Sequence, residues 1–174
     1  MNKFRLTLVA SACLLAAAPA FAQNGVTLSR QDKQFLRRDA HGSAYEKALS
    51  ELALQKAASP EIKDFAQRDI SAHTQLNQQA QQIAQQNGMT LPGKLTKKQQ
   101  TRFNHLKSLD SKAFDTAYVQ EMKRINQSDR TEDQRELQST QNAQLKQFVQ
   151  NGETMDAEHA DAAQKLQTAN NAVK

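Results

Sequence analysis

SPEIKDFAQRDISAHTQLNQQAQQIAQQNG, residues 59–88, reads as one helix from end to end. Ser59 is a good N-cap, because its hydroxyl can accept from a free amide of the first turn. Pro60 suits the first helical position, where the missing N–H costs nothing. Asn87-Gly88 supplies the stop, since glycine takes the left-handed conformation that ends many helices. Between these signals Ile62, Ala66, Asp69, His73, Leu76, Ala80 and Ile83 recur at alternating steps of four and three. That stripe is the buried seam of a helix in a bundle. Two of its members, Asp69 and His73, are ionisable and lie one turn apart, so they face the same neighbours. The run QQAQQIAQQ keeps the apolar period and reads as the wet face of the same helix.

The flanking segments look built to pack against this helix. Upstream, Ser29 with Asp32 forms a weak capping box, and a helix over residues 29–58 buries Phe35, Leu36, Ala40, Ala44, Leu49, Leu52 and Ala53. Glu46 sits at the border of that stripe. Ser59-Pro60 forces a break, since proline disfavours helix in the residue before it. The turn is short, so the first two helices should be antiparallel neighbours. Downstream, NGMTLPGKLT is the main loop and opens a basic patch of Lys94, Lys97, Lys98, Arg102 and Lys107. That patch reads as a solvated helix start, with an anionic lipid or sugar as the partner it could take at an envelope or membrane surface. A short helix over residues 97–109 turns Phe103, Leu106 and Leu109 inward.

Asp110 or Ser111 then caps a third long helix whose buried face is Phe114, Tyr118, Glu121, Met122 and Ile125. Beyond Ile125 the segment NQSDRTEDQRE offers no large apolar residue, so this half is expected to be exposed, frayed or bent. A fourth helix over residues 143–166 carries Leu145, Phe148, Val149, Met155, His159, Ala162 and Leu166 at helical spacing. Gly152 interrupts it and is expected to mark a kink or break. TANNAVK at the end reads as a loose tail.

The N-terminus has a different character. MNKFRLTLVASACLLAAAPAFA has a short basic start at Lys3 and Arg5 and an apolar run too short to span a membrane comfortably. It closes on the small-x-small site Ala20-Phe21-Ala22. It reads as a secretory signal peptide over residues 1–22, cut before Gln23, leaving one helical-bundle domain over 23–174 with its core in 29–167. The rival reading is a lipoprotein signal with Cys13 as the lipidated residue. Export predicts a periplasmic or secreted protein.

Composition removes several function classes. Cys13 is the only cysteine, so the processed chain has no disulfide, thiol nucleophile or cysteine metal ligand. The signal holds two of the 23 basic residues and none of the 18 acids, which leaves 21 minus 18, or +3. With that mild excess, no dense basic arm and no Trp, nucleic acid is not an expected partner. No G-x-S-x-G or phosphate-binding glycine loop occurs, so the chain reads as a non-enzyme: a structural or binding module of the envelope, stress-related in kind. Gly and Pro are scarce, no β pattern occurs, and the fold class is all-α.

FLRRDAHGSAYEKALSELALQKAASPEIKDFAQRDISAHTQLN, followed by LP and FDTAYVQEM, resembles the bacterial domain of unknown function 4142 family. The resemblance covers residues 32–166 and is carried most by the first two helices and Phe114-Asp115…Tyr118. It implies an exported protein with a ferritin-like fold: a four-helix bundle, antiparallel, here with a short extra helix between helices two and three. It implies no particular activity. The family pattern has His on several helices. His73 and His159 match two of them, while the place eight residues past Tyr118 holds Asn126.

A second functional reading is a ferritin-like metal-binding protein or di-metal carboxylate oxidase. Such a centre needs a Glu on each of two helices and Glu-x-x-His on each of the other two. Here Glu46 and Glu121 are the lone acids, Asp156-x-x-His159 is a shortened motif, and Asp69-x-x-x-His73 is one residue too long. These six are the candidate ligands, for Fe, Mn or Zn. Against them stands the plain reading that an inward His is a core residue paired with a carboxylate such as Asp69, since an unpaired polar group in a core is costly. His41 and His105, beside Gly42 and Asn104, read as surface residues.

Overall fold

A computed structural model describes residues 27–172, which form five helices and no strand. The expected signal peptide, with Lys3, Arg5, Cys13 and the Ala20-Phe21-Ala22 site, lies outside the described residues. Helix α1 spans Arg30–Lys56 behind the Ser29–Asp32 capping box, and α2 spans Pro60–Gln86 with Ser59 Oγ accepting from Ile62 N–H at 3.2 Å. Gly88 has φ +63°, the left-handed value its position after the helix requires. Helix α3 is Lys97–Ser108, capped by Thr96 and Gln99. Helix α4 is Ser111–Ser139, capped by Asp110, and α5 is Ala143–Ala172.

Each long helix runs antiparallel to the two it touches. Ser43 meets His73 and Ser50 meets Asp69 between α1 and α2, while Arg38 meets Glu132 and Tyr45 meets Glu121 between α1 and α4. Asp69 meets His159 and Gln79 meets Asn151 between α2 and α5, and Lys123 meets Gln164 and Gln134 meets Glu153 between α4 and α5. In every pair one number rises as the other falls. Two connections, α1–α2 and α4–α5, are short. The third, from α2 to α4, is long and contains α3, which packs on α1 and α4. Asp115 fixes the first turn, accepting from Ala58 N–H at 3.1 Å and Ser59 N–H at 2.9 Å.

Three expectations change. Helix α4 does not fray past Ile125. It continues to Ser139, because its inner face passes from apolar to polar residues without leaving the interior: Asn126, Asp133 and Glu136 are all buried. Gly152 does not break α5, which runs through it. It is a buried residue whose missing side chain makes room: a Cβ there would stand 3.2 Å from Asp133 Oδ2 and 3.8 Å from Leu76 Cδ2. The helix also carries on into the expected tail, as far as Ala172.

The core is divided. One apolar cluster gathers Tyr45, Leu49, Ile62, Phe65, Phe114, Tyr118 and Met122 with Leu106 of α3. The other gathers Phe35, Leu36, Leu76, Ile83, Leu145 and Phe148. Each fully buried side chain of this size contributes about 1.5–3 kcal/mol. Between the clusters all four long helices turn ionisable or amide side chains inward. Glu46, Asp69, His73, Asn126, Asp156 and His159 are all buried. A buried charge left unpaired costs several kcal/mol, so this belt has to be paired, neutralised or filled.

Candidate metal centre

Asp69 and His73 stand on successive turns of α2, and His159 comes from the neighbouring helix α5. Asp69 Oδ1 lies 3.6 Å from His73 Nε2 and 3.2 Å from His159 Nδ1. Glu46 of α1 reaches the same point, its Oε2 3.4 Å from His73 Nε2. One donor atom from each of Asp69, His73 and His159 falls within 4.8 Å of the others. None of these close approaches has hydrogen-bond alignment: Glu46 Oε2, Asp69 Oδ1, His73 Nε2 and His159 Nδ1 all lack a hydrogen-bond partner. Four buried donor atoms thus converge without bonding one another.

The other oxygen of Asp69 is firmly held. Ser50 Oγ donates to Asp69 Oδ2 at 2.7 Å, and since Ser50 spends its proton there, Tyr118 O–H donates to Ser50 Oγ at 2.7 Å. The relay from α4 through α1 to α2 orients Asp69, as outer groups orient metal-binding carboxylates. It also gives Tyr118 of the FDTAY segment a physical role. Phe65 closes the site, its ring edge-on to His159 at 5.5 Å, and the two imidazoles are 5.8 Å apart.

Burial alone would push the His73 imidazole down. The Glu46 carboxylate, followed by Asp69 and Asp156, outweighs it and raises His73 to about 10. His73 is therefore a buried imidazolium at neutral pH. Burial would raise Asp69, but His159, then His73 and Ser50, hold its carboxyl below the usual range. Asp156 moves the other way. Burial, then the charges of Glu46 and Asp133, lift it to about 9.

Of the six ligand candidates read from the sequence, the fold therefore brings Glu46, Asp69, His73 and His159 together and sets Asp156 beside them. Glu121 stands elsewhere. It accepts from Tyr45 O–H at 3.0 Å, from Arg102 at 3.0 Å and from Arg124 at 2.7 and 3.0 Å, and so ties α1, α3 and α4 together. A four-acid centre that includes Glu121 does not form. Asn126, where the resemblance would put a third His, is buried and donates to Met122 O at 2.7 Å. His105 is exposed as expected. His41 is half-buried, its Nδ1 2.7 Å from Lys94 O, so it pins the main loop rather than facing solvent.

Three further acids escaped the sequence reading. Asp39 on α1 and Asp129 and Asp133 on α4 adjoin the belt. Burial first, and then neighbouring carboxylates, raise them to about 7, about 9 and about 8. The signal that could have found the two on α4 was the helical spacing of Asn126, Asp129, Asp133 and Glu136, a stripe written in polar residues.

Among solved structures, a fragment of a DUF305 protein from Deinococcus radiodurans has a similar fold, with a TM-score of 0.75 at 10% identity, over 83% of this chain and 99% of that one. CopM in its Cu(I)-bound form is also similar, with a TM-score of 0.66 at 15% identity over 77% of this chain and 93% of that one, as is its Ag-bound form at 0.63 and 14%. At these identities the likeness is one of fold. No curated protein matches the chain. The family model for a domain of unknown function, DUF4142, matches residues 16–168, and the chain belongs to that family.

Proposed function

We propose that this member of the DUF4142 family is an exported binding module of the cell envelope that holds one divalent transition-metal ion on Asp69, His73 and His159, with Glu46 as its nearest counter-charge. The observation that carries this reading is the convergence of buried donor atoms that form no hydrogen bonds with one another. Ligands about 2.1 Å from a tetrahedral ion stand about 3.4 Å apart, and the spacings around Asp69 Oδ1 bracket that value. Two imidazoles with carboxylate suit Zn, Fe, Mn or Cu(II). The Cu(I)-bound form of CopM supports metal binding on a bundle of this shape, but Cu(I) favours soft sulfur ligands, and Asp69, His73 and His159 carry no sulfur. To ligate, His73 must give up its proton, so proton and metal compete for it. The single long crossover from α2 to α4 supports a ferritin-like connectivity. The N-terminal sequence supports export, with cleavage after Ala22. No described helix is long and apolar enough to cross a membrane.

A second reading rests on the raised pKa of His73: an imidazolium that simply neutralises Glu46 and Asp69, in a structural module. Elemental analysis of protein gently purified from the periplasm separates the two. Near-stoichiometric Fe, Mn, Zn or Cu, lost in His73→Ala and in His159→Ala, is the expected result. Metal-free protein that also fails to take up any of the four ions in a titration would leave the structural reading standing alone.

A further inference from the structure

The four donor atoms of the histidine centre are sealed from solvent, so an ion cannot reach them while every side chain stays where it stands. A seam between helices has to open. A cavity of about 330 Å³ lies along the seam of α1 and α2, and His73 is part of its wall. Ser43, Ala44 and Lys47 line it from α1, and Thr74, Asn77 and Gln81 line it from α2. The cavity between α1, α4 and α3 and the grooves along α4 and α5 touch none of Glu46, Asp69, His73 and His159.

Little holds this wall shut. The α1 side chains beside His73 are small, Ser43 and Ala44, and the hydrogen bond that crosses here, from Ser43 Oγ to His73 O, is 3.5 Å long. That is beyond the usual range for a hydroxyl donor. Neither ring nitrogen of His73 makes a hydrogen bond. The attraction of Glu46 and Asp69 acts at Nε2, and no described group bonds Nδ1. A ring held at one end by undirected attraction is free to change rotamer towards the groove. The lining also suits a passing cation. Hydroxyl and amide oxygens can replace the waters of an ion one at a time, and no carboxylate lines the groove to trap it on the way. Further glutamines of α2 extend the same amide surface, which gives the Gln-rich run a use.

We propose that the groove between α1 and α2 is the route by which a free hydrated metal ion enters and leaves the centre, with His73 as the first ligand it meets and the side chain that turns to admit it. This route presupposes the metal-binding role of Asp69, His73 and His159. An ion with six waters occupies about 200 Å³, at about 30 Å³ for each water, so the groove has room for it before it sheds them. Lys47 is the one charged side chain on the groove apart from His73, and it opposes an incoming cation.

The test uses the full processed chain, stripped with chelator. Stopped-flow absorbance follows uptake of Co²⁺, a coloured stand-in for Zn²⁺, and then its release to excess EDTA. Ala44→Phe, which fills the groove, should slow uptake and release alike by about tenfold and leave the affinity within about threefold, because a narrowed route changes both rates and not their ratio. Asn77→Phe, on the α2 wall, should do the same and serves if Ala44→Phe does not fold. Thr131→Phe, in the groove between α4 and α5, should keep both rates at wild-type values. Lys47→Glu should speed uptake severalfold at low salt and lose the gain at about 1 M salt, where the charge is screened. Wild-type rates in a folded wall variant would overturn the route and leave the metal centre in place. Slowed uptake with unchanged release would also overturn it, since that marks a damaged site. No uptake of Co²⁺ by wild type would remove the metal centre and its route together.

Discussion

At position 73 a neutral side chain would leave Glu46 and Asp69 as two buried carboxylates with no cation between them. His73 prevents this as an imidazolium, 3.4 Å from one and 3.6 Å from the other. His73→Ala should therefore destabilise the metal-free fold by about 1–3 kcal/mol, the usual cost of stranding a buried polar partner. His105→Ala, at an exposed position, should leave stability within about 0.5 kcal/mol of wild type. Urea unfolding of the two variants side by side checks both values, and equal midpoints would remove His73 from the belt. Its inward position and its pairing with Asp69 were legible one turn apart in the sequence. The Glu46 contact was not, because it depends on the register of α1 against α2, which no local pattern encodes.

Among the elements, the first turn shows how a helix end is held from outside itself. Proline at 60 ends α1 and starts α2, but the amides of Ala58 and Ser59 are satisfied by Asp115, a residue of α4 distant in sequence. Asp115→Ala should cost about 1–3 kcal/mol by leaving those amides without an acceptor, and the urea midpoint should fall with little change in slope. An unchanged midpoint would mean that water replaces the carboxylate. The misread elements were α4 and α5. An apolar-period reading sees only apolar residues, so a helix whose inner face turns acidic reads as unpacked. In the same way a glycine that makes room for Asp133 reads as a break.

For the whole molecule, two apolar clusters supply the stability and the polar belt between them makes it depend on pH. Asp39, Asp133, Asp129 and Asp156 have folded-state pKa values of about 7, 8, 9 and 9 against 3.8 when exposed. Groups raised in this way favour the fold below their unfolded pKa, and the benefit is lost as pH rises through the folded value. His73, raised from 6.5 to about 10, acts in the same sense over a higher window. The chelated protein should thus lose stability steadily from about pH 5 to about pH 9. Urea midpoints across that range are the measurement, and a midpoint that climbs with pH would contradict the buried belt. Asp32, Asp69 and Glu121, whose carboxyls are held low, act only on the acid side, where protonating them destabilises.

Helix identity, caps and chain reversals were determined by the sequence alone, because they depend on residues within a turn or two: Ser29 with Asp32, Ser59 with Pro60, Asp110, and Gly88 at its positive φ. The inward placement of Asp69, His73 and His159 followed from the same periodicity. Which acids share their depth was decided only by the tertiary structure. Helix faces repeat every turn, so Glu46 and Glu121 looked equivalent, yet axial register sends one to His73 and the other to Arg102 and Arg124. Asp39, Asp129 and Asp133 became a group only when α1 and α4 were set side by side. Their meaning lies in the charges around them, and those come from residues far away in the chain.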